Sequence, residues 1–104
     1  MNTPKVALQH EKDVIRWAKD RGIITPWNQK NQMEKMIEEV KELYEEVQQG
    51  NKNHVRLELG DVLVTCVVQA SMWGMSLDEC LTAAYNKIST RSGVTIDGTF
   101  IKDT

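Results

Sequence analysis

The fold turns on two stretches, Gln32-Met33-Glu34-Lys35-Met36-Ile37-Glu38-Glu39-Val40-Lys41-Glu42-Leu43-Tyr44-Glu45-Glu46-Val47 and Glu58-Leu59-Gly60-Asp61-Val62-Leu63-Val64-Thr65-Cys66-Val67-Val68. In the first, Met33, Met36, Ile37, Val40, Leu43, Tyr44 and Val47 recur at steps of three and four, the period of an amphipathic α-helix. The second is apolar almost all round after Asp61, the pattern of a buried helix. Glu39 and Glu42 stand three residues apart, as do Glu58 and Asp61. Three helical steps turn a side chain through about 300°, so each pair points about 60° apart, one turn above the other. Two such pairs on facing antiparallel helices aim four carboxylates into a small volume, where they repel unless a cation sits between them. Oxygen-only ligands suit a hard divalent ion, magnesium or manganese, better than zinc.

The competing reading is a solvated acidic face, a common way to keep a helix soluble. The second acid pair argues against it, because ionised side chains at the mouth of a buried helix ask for a partner. On a helical wheel Glu39 lies about 90° from the centre of the apolar stripe, with Glu38 and Glu42 further round. Glu39 is thus expected to border the core and Glu38 and Glu42 to face away from it.

Composition sets limits on function. One domain is expected over residues 1–104. A net charge of −2 offers no field that would draw a nucleic acid polymer or an anionic membrane. The longest apolar stretch is interrupted by Gln69 and Ser71 and is too short to span a bilayer. Cys66 and Cys80 form neither a CxxC nor a Cys/His metal spacing, and the polar first residues carry no secretory signal, so a reducing cytoplasm is expected.

Along the chain, Asn2-Thr3-Pro4 reads as a helix entry and the first helix as Lys5 to Asp20. Asn28 is expected to cap the second helix and Gly50 to stop it. A third helix runs from about His54 to Trp73. Gly60 costs it about 1 kcal/mol relative to Ala and leaves room for a neighbouring helix or ligand. Ser76 caps a fourth helix, with Asp78 and Glu79 in its first turn, that continues to about Ser92 and is ended by Gly93. The tail from Val94 to Ile101 flanks Asp97-Gly98 with β-branched residues, a hairpin signal. The fold class is therefore all-α, a four-helix bundle with a short C-terminal β-hairpin.

Glu-Glu-x-x-Glu at Glu38–Glu42 followed by Glu-x-x-Asp at Glu58–Asp61 resembles the motif of the all-α nucleoside triphosphate pyrophosphohydrolases, in particular the compact MazG-type members. Gln32 through Val47 resembles the first motif helix of that family, Glu58 through Leu63 the second, and Lys87 with Arg91 the basic end of the last helix. The resemblance implies hydrolysis of a nucleoside triphosphate between its α and β phosphates, giving a monophosphate and pyrophosphate. It implies Glu39, Glu42, Glu58 and Asp61 as magnesium ligands. It also implies a homodimer or homotetramer, with sites that borrow residues from the partner.

The remaining candidates follow from chemistry. Glu38, one step from Glu39, is placed to orient or deprotonate a water, or to help hold a second metal. Lys87 and Arg91, four apart on one expected helix face, are phosphate contacts or else cations satisfying a helix C-terminus. Lys35, one turn before Glu39, is a further phosphate candidate. Trp17, Trp27 and Trp73 are candidate base-stacking partners, with Trp27, beside Pro26 and just ahead of the acid-bearing helix, preferred. Narrower alternatives within the family are a deoxyuridine or deoxycytidine triphosphate hydrolase or a phosphoribosyl-ATP hydrolase. From another class, the alternative is a non-catalytic helical interaction module. The apolar circumference of the third helix also exceeds what one bundle of this size covers, which independently predicts self-association.

Overall fold

A computed structural model describes residues 8–103. Among these are four helices, α1 (Glu11–Asp20), α2 (Gln29–Gln49), α3 (Lys52–Met72) and α4 (Leu77–Ile88), followed by strands β1 (Gly93–Ile96) and β2 (Thr99–Lys102). The architecture is all-α with a C-terminal hairpin, as the periodicity predicts. The helix entry expected at Asn2-Thr3-Pro4 lies outside the described residues. Among those described, α1 starts at Glu11, where Glu11 and Asp13 supply the acidic first turn that a helix dipole favours.

α2 and α3 are an antiparallel pair and make the main packing layer. Gly50 joins them with a left-handed backbone, φ 75°, closing α2 onto the carbonyls of Glu46 and Val47. Asn51 then caps α3 by accepting from the His54 amide at 3.1 Å. Near the opposite end the Gln69 side chain donates to the Gln29 carbonyl at 3.2 Å, fixing the register of the two helices. α1 lies across α3 and buries Ala18 completely. Asn28 stands at the start of α2 but makes no side-chain cap; its amide donates instead to the Ile23 carbonyl at 2.8 Å and braces the α1–α2 connection.

α4 begins with Ser76 as its cap, as expected, and Glu79 completes a capping box by accepting from the Ser76 amide. The Glu11 carboxylate reaches from α1 to accept from the Leu77 amide at 2.6 Å, so the start of α4 is tied to the first helix as well. The helix ends at Ile88, four residues short of the expected Ser92. Ser89 donates to the Asn86 carbonyl and Thr90 to the Lys87 carbonyl, and such local hydroxyl bonds compete with continued helix. Gly93 is consequently the first residue of β1 and not a helix stop; a side chain there would collide with the Phe100 ring and the β2 backbone. The hairpin turns at Asp97 and Gly98, both with positive φ (49° and 80°), the backbone of a type I′ turn.

One expectation about α2 is reversed. Its most regular apolar stripe, Met33, Ile37, Val40, Tyr44 and Val47, faces out of the chain, with Ile37 52% and Tyr44 64% exposed. The side turned to α3 carries Glu39, which is only 7% exposed. Glu39 thus lies within the helix pair and does not merely border it. The fully buried apolar residues, Ala18, Val67, Val68 and Ala70, all sit on α1 or α3. Among the described residues no neighbour occupies the space a side chain at Gly60 would take. No described helix is long and apolar enough to cross a membrane.

Candidate metal centre

The antiparallel register sets the Glu39 turn of α2 beside the Glu58–Asp61 turn of α3. Ligand-capable oxygens of Glu39, Glu58 and Asp61 lie within 4.8 Å of one another, and Glu38, Glu39 and Glu42 form a second such trio. Glu39 belongs to both. Glu42 falls outside the trio that spans both helices, yet its charge is felt by Glu58. Burial is the first cause that pushes the Glu58 carboxyl from its ordinary 4.5 up to about 7, and repulsion from Glu42 the second, followed by the close approach of Glu39 and the charge of Asp61. Glu39 Oε1 and Glu58 Oε1 are buried and have no hydrogen-bond partner among the described residues. Buried carboxylate oxygens left without donors carry a desolvation cost that a cation would offset. The donor set is all oxygen, which suits magnesium or manganese.

Lys35 reaches this cluster from one turn earlier on α2, its Nζ lying 3.1 Å from Glu38 Oε1 and 3.1 Å from Glu39 Oε2. Hydrogen bonds to Glu39 and then Glu38 raise its pKa and keep it protonated. Glu38 itself is exposed.

A cavity of about 330 Å³ adjoins the acids. Trp17 and Ile23 form one side; Gln32, Lys35 and Glu39 line it from α2; Asp61, Val64, Thr65 and Val68 line it from α3. Trp17, and not Trp27, is the tryptophan at this cavity; Trp27 stands in the α1–α2 connection, 78% exposed. Trp73 sits at the far end of α3, its indole N–H donating to Gln69 at 2.9 Å. Neither Lys87 nor Arg91 forms an ion pair with any of the four acids among the described residues. Because α4 stops at Ile88, Arg91 lies beyond it, and the shared helix face expected for the two does not form. Sequence periodicity did not single out Gln32 or Thr65. Their signal was present: Gln32 stands two turns before Glu39, and Thr65 one turn after Asp61, on the same helix faces.

The fold and these acids define an all-α chain that gathers carboxylates between two antiparallel helices. Residues 28–94 match the family model of the MazG nucleotide pyrophosphohydrolase domain, and the chain belongs to that family. The matched span takes in α2, α3 and α4, and so all the acids of both trios. Comparison with curated proteins gave no match, nor did comparison with solved structures.

Proposed function

We propose that this protein is a magnesium-dependent nucleotide pyrophosphohydrolase, splitting a nucleoside triphosphate into monophosphate and pyrophosphate. The observation that carries the reading is the pair of carboxylate trios sharing Glu39, with Glu39 Oε1 and Glu58 Oε1 buried and unpartnered among the described residues. Family membership supports the reaction class.

In this reading Glu39, Glu58 and Asp61 hold the ion, with Glu42 completing the set from the next turn of α2. A bound magnesium ion supplies charge for phosphate oxygens and acidifies a coordinated water. Glu38, exposed beside the trio, orients the attacking water and accepts its proton. Lys35, held between Glu38 and Glu39, turns its ammonium toward the phosphates as their charge builds up. The test is a panel of nucleoside triphosphates with magnesium, read by pyrophosphate release. Release of pyrophosphate with a matching monophosphate is expected; release of orthophosphate alone, or no turnover of any member, overturns the reading.

We also propose a homodimer or homotetramer. Met33, Ile37, Val40, Tyr44 and Val47 step by four and three like a heptad seam, and they face solvent in one chain. Leu81, Tyr85 and Ile88 of α4 and Val94, Ile96, Phe100 and Ile101 of the hairpin are exposed as well. The surface is 8013 Å², against roughly 6,000 Å² for a compact monomer of this mass. An excess of roughly 2,000 Å² per copy is the scale of an obligate interface. Lys87 and Arg91 enter this reading as phosphate contacts that a second copy would deliver. The free, half-buried Cys66 and Cys80 suit a reducing cytoplasm.

A further inference from the structure

Positive charge is unevenly shared among the acids of the two trios. Glu39 belongs to both, and its two oxygens meet different surroundings. Oε2 lies 3.1 Å from the Lys35 ammonium, whereas Oε1 is buried with no hydrogen-bond partner among the described residues. Glu38 gives its Oε1 to the same ammonium at 3.1 Å. On α3, Glu58 Oε1 is buried and unpartnered among the described residues. Both orphaned oxygens thus belong to the trio that spans the two helices, and both lysine contacts to the trio made by α2 alone. Lys35 stands three residues before Glu38 and four before Glu39, spacings that make them neighbours on the helix surface. A lysine ahead of its glutamates is the less favourable order for an isolated helix, so helix stability alone does not account for the arrangement. An ammonium has three protons to donate; with Glu38 and Glu39 taking two, the third is left for a phosphate oxygen.

We infer that Lys35 is a built-in cation on the Glu38 side of the cluster, which keeps Glu38 out of the ligand set and limits the chain to one divalent ion. The inference rests on the function proposed above and adds the role of the trio that the lysine bridges. A divalent ion held by Glu38 and Glu39 would lie within a few ångströms of the ammonium bound to the same two carboxylates, and like charges that close repel strongly in a partly buried cluster. Lys35 and a second metal therefore compete for one place. With Oε2 held by the lysine, Glu39 has Oε1 left to offer a metal, the oxygen that lacks any donor among the described residues. Lys35 is in this sense a positioning residue, acting on the metal through Glu39. It supplies on that side the charge that a second ion would otherwise bring.

The test is titration of the intact protein with manganese(II), which shares magnesium's preference for oxygen ligands, with the free ion counted by its electron paramagnetic resonance signal. Wild type should saturate at one ion per chain. Lys35→Met keeps most of the side chain and removes the charge; it should free Glu38 and Glu39 for a second ion and saturate at two. Lys35→Arg keeps the charge and should remain at one. Lys35 is exposed, so its loss should leave a cooperative fold, which melting curves of the metal-free variants check. Those curves should also place metal-free Lys35→Met below wild type, with a larger rise in Tm on adding manganese, because acids that lost their counter-ion gain more from the metal. Two ions per chain in wild type or in Lys35→Arg, or a single ion in a folded Lys35→Met, overturns the inference. These counts all leave a metal-loaded protein, and so leave the hydrolase reading standing. A wild type that binds no manganese removes the metal centre itself and the inference with it.

Discussion

Magnesium affinity should fall by about tenfold between about pH 8 and about pH 6, because the Glu58 carboxyl must lose its proton before it can act as a ligand. Its pKa of about 7 in the metal-free fold arises first from burial and next from Glu42, with Glu39 and Asp61 adding to it. For a group titrating there, the ionised fraction is about nine-tenths one unit above and about one-tenth one unit below, which gives the tenfold ratio. The sign for stability runs the other way. The folded pKa of about 7 exceeds the ordinary 4.5, so the metal-free fold gains stability as the carboxyl takes up its proton. That gain is complete below about 4.5 and is lost as pH rises through about 7. Metal-free protein should therefore melt higher at about pH 6 than at about pH 8, while the magnesium-induced rise in Tm should be larger at about pH 8. Calorimetric titration with magnesium, together with melting curves with and without the ion, measures both slopes. Glu58→Gln isolates the group, since the amide cannot titrate, and should flatten both. An affinity that is level across this range, or slopes that persist unchanged in Glu58→Gln, would refute the reasoning.

Asp61→Ala should abolish pyrophosphate release and the magnesium-induced gain in Tm, while metal-free Tm holds or rises because one of several mutually repelling acids is gone; turnover near the wild-type rate would remove Asp61 from the site. Ile37→Asp, on the outward seam of α2, should move the protein toward monomer in sedimentation at micromolar concentration, and a wild type that already sediments as a 11.9 kDa monomer would defeat the assembly proposal. Val67 is a poorer probe of assembly, because it is buried within its own chain and an acid there should unfold the protein. Ser76→Ala removes the capping box of α4 and should cost about 1 kcal/mol, which for a domain of this size lowers Tm by about 4–8 °C; an unchanged melt would mean that the Glu11 contact to Leu77 alone holds the helix start.

Local chemistry was legible in the chain. The three- and four-residue recurrence gives α2, the apolar run gives α3, Ser76 with Glu79 starts α4, and Asp97-Gly98 turns the hairpin, because each depends on neighbours within a few residues. The acid spacing was legible for the same reason: residues three apart on a helix share a side wherever the helix goes. The orientation of α2 was not. A wheel reports which face is apolar, but not whether its cover comes from the same chain or from outside it, and the seam from Met33 to Val47 turned out to face away from α3. The end of α4 was decided by Ser89 and Thr90 folding back on the helix, which took Arg91 off the face it was expected to share with Lys87. The choice of Trp17 over Trp27 at the cavity required the crossing of α1 over α3. Periodicity fixes what each segment becomes, since the forces that make a helix are local. Which side chains meet depends on how the helices pair, and that is settled by contacts between residues far apart in the chain, such as Gln29 with Gln69 and Glu11 with Leu77.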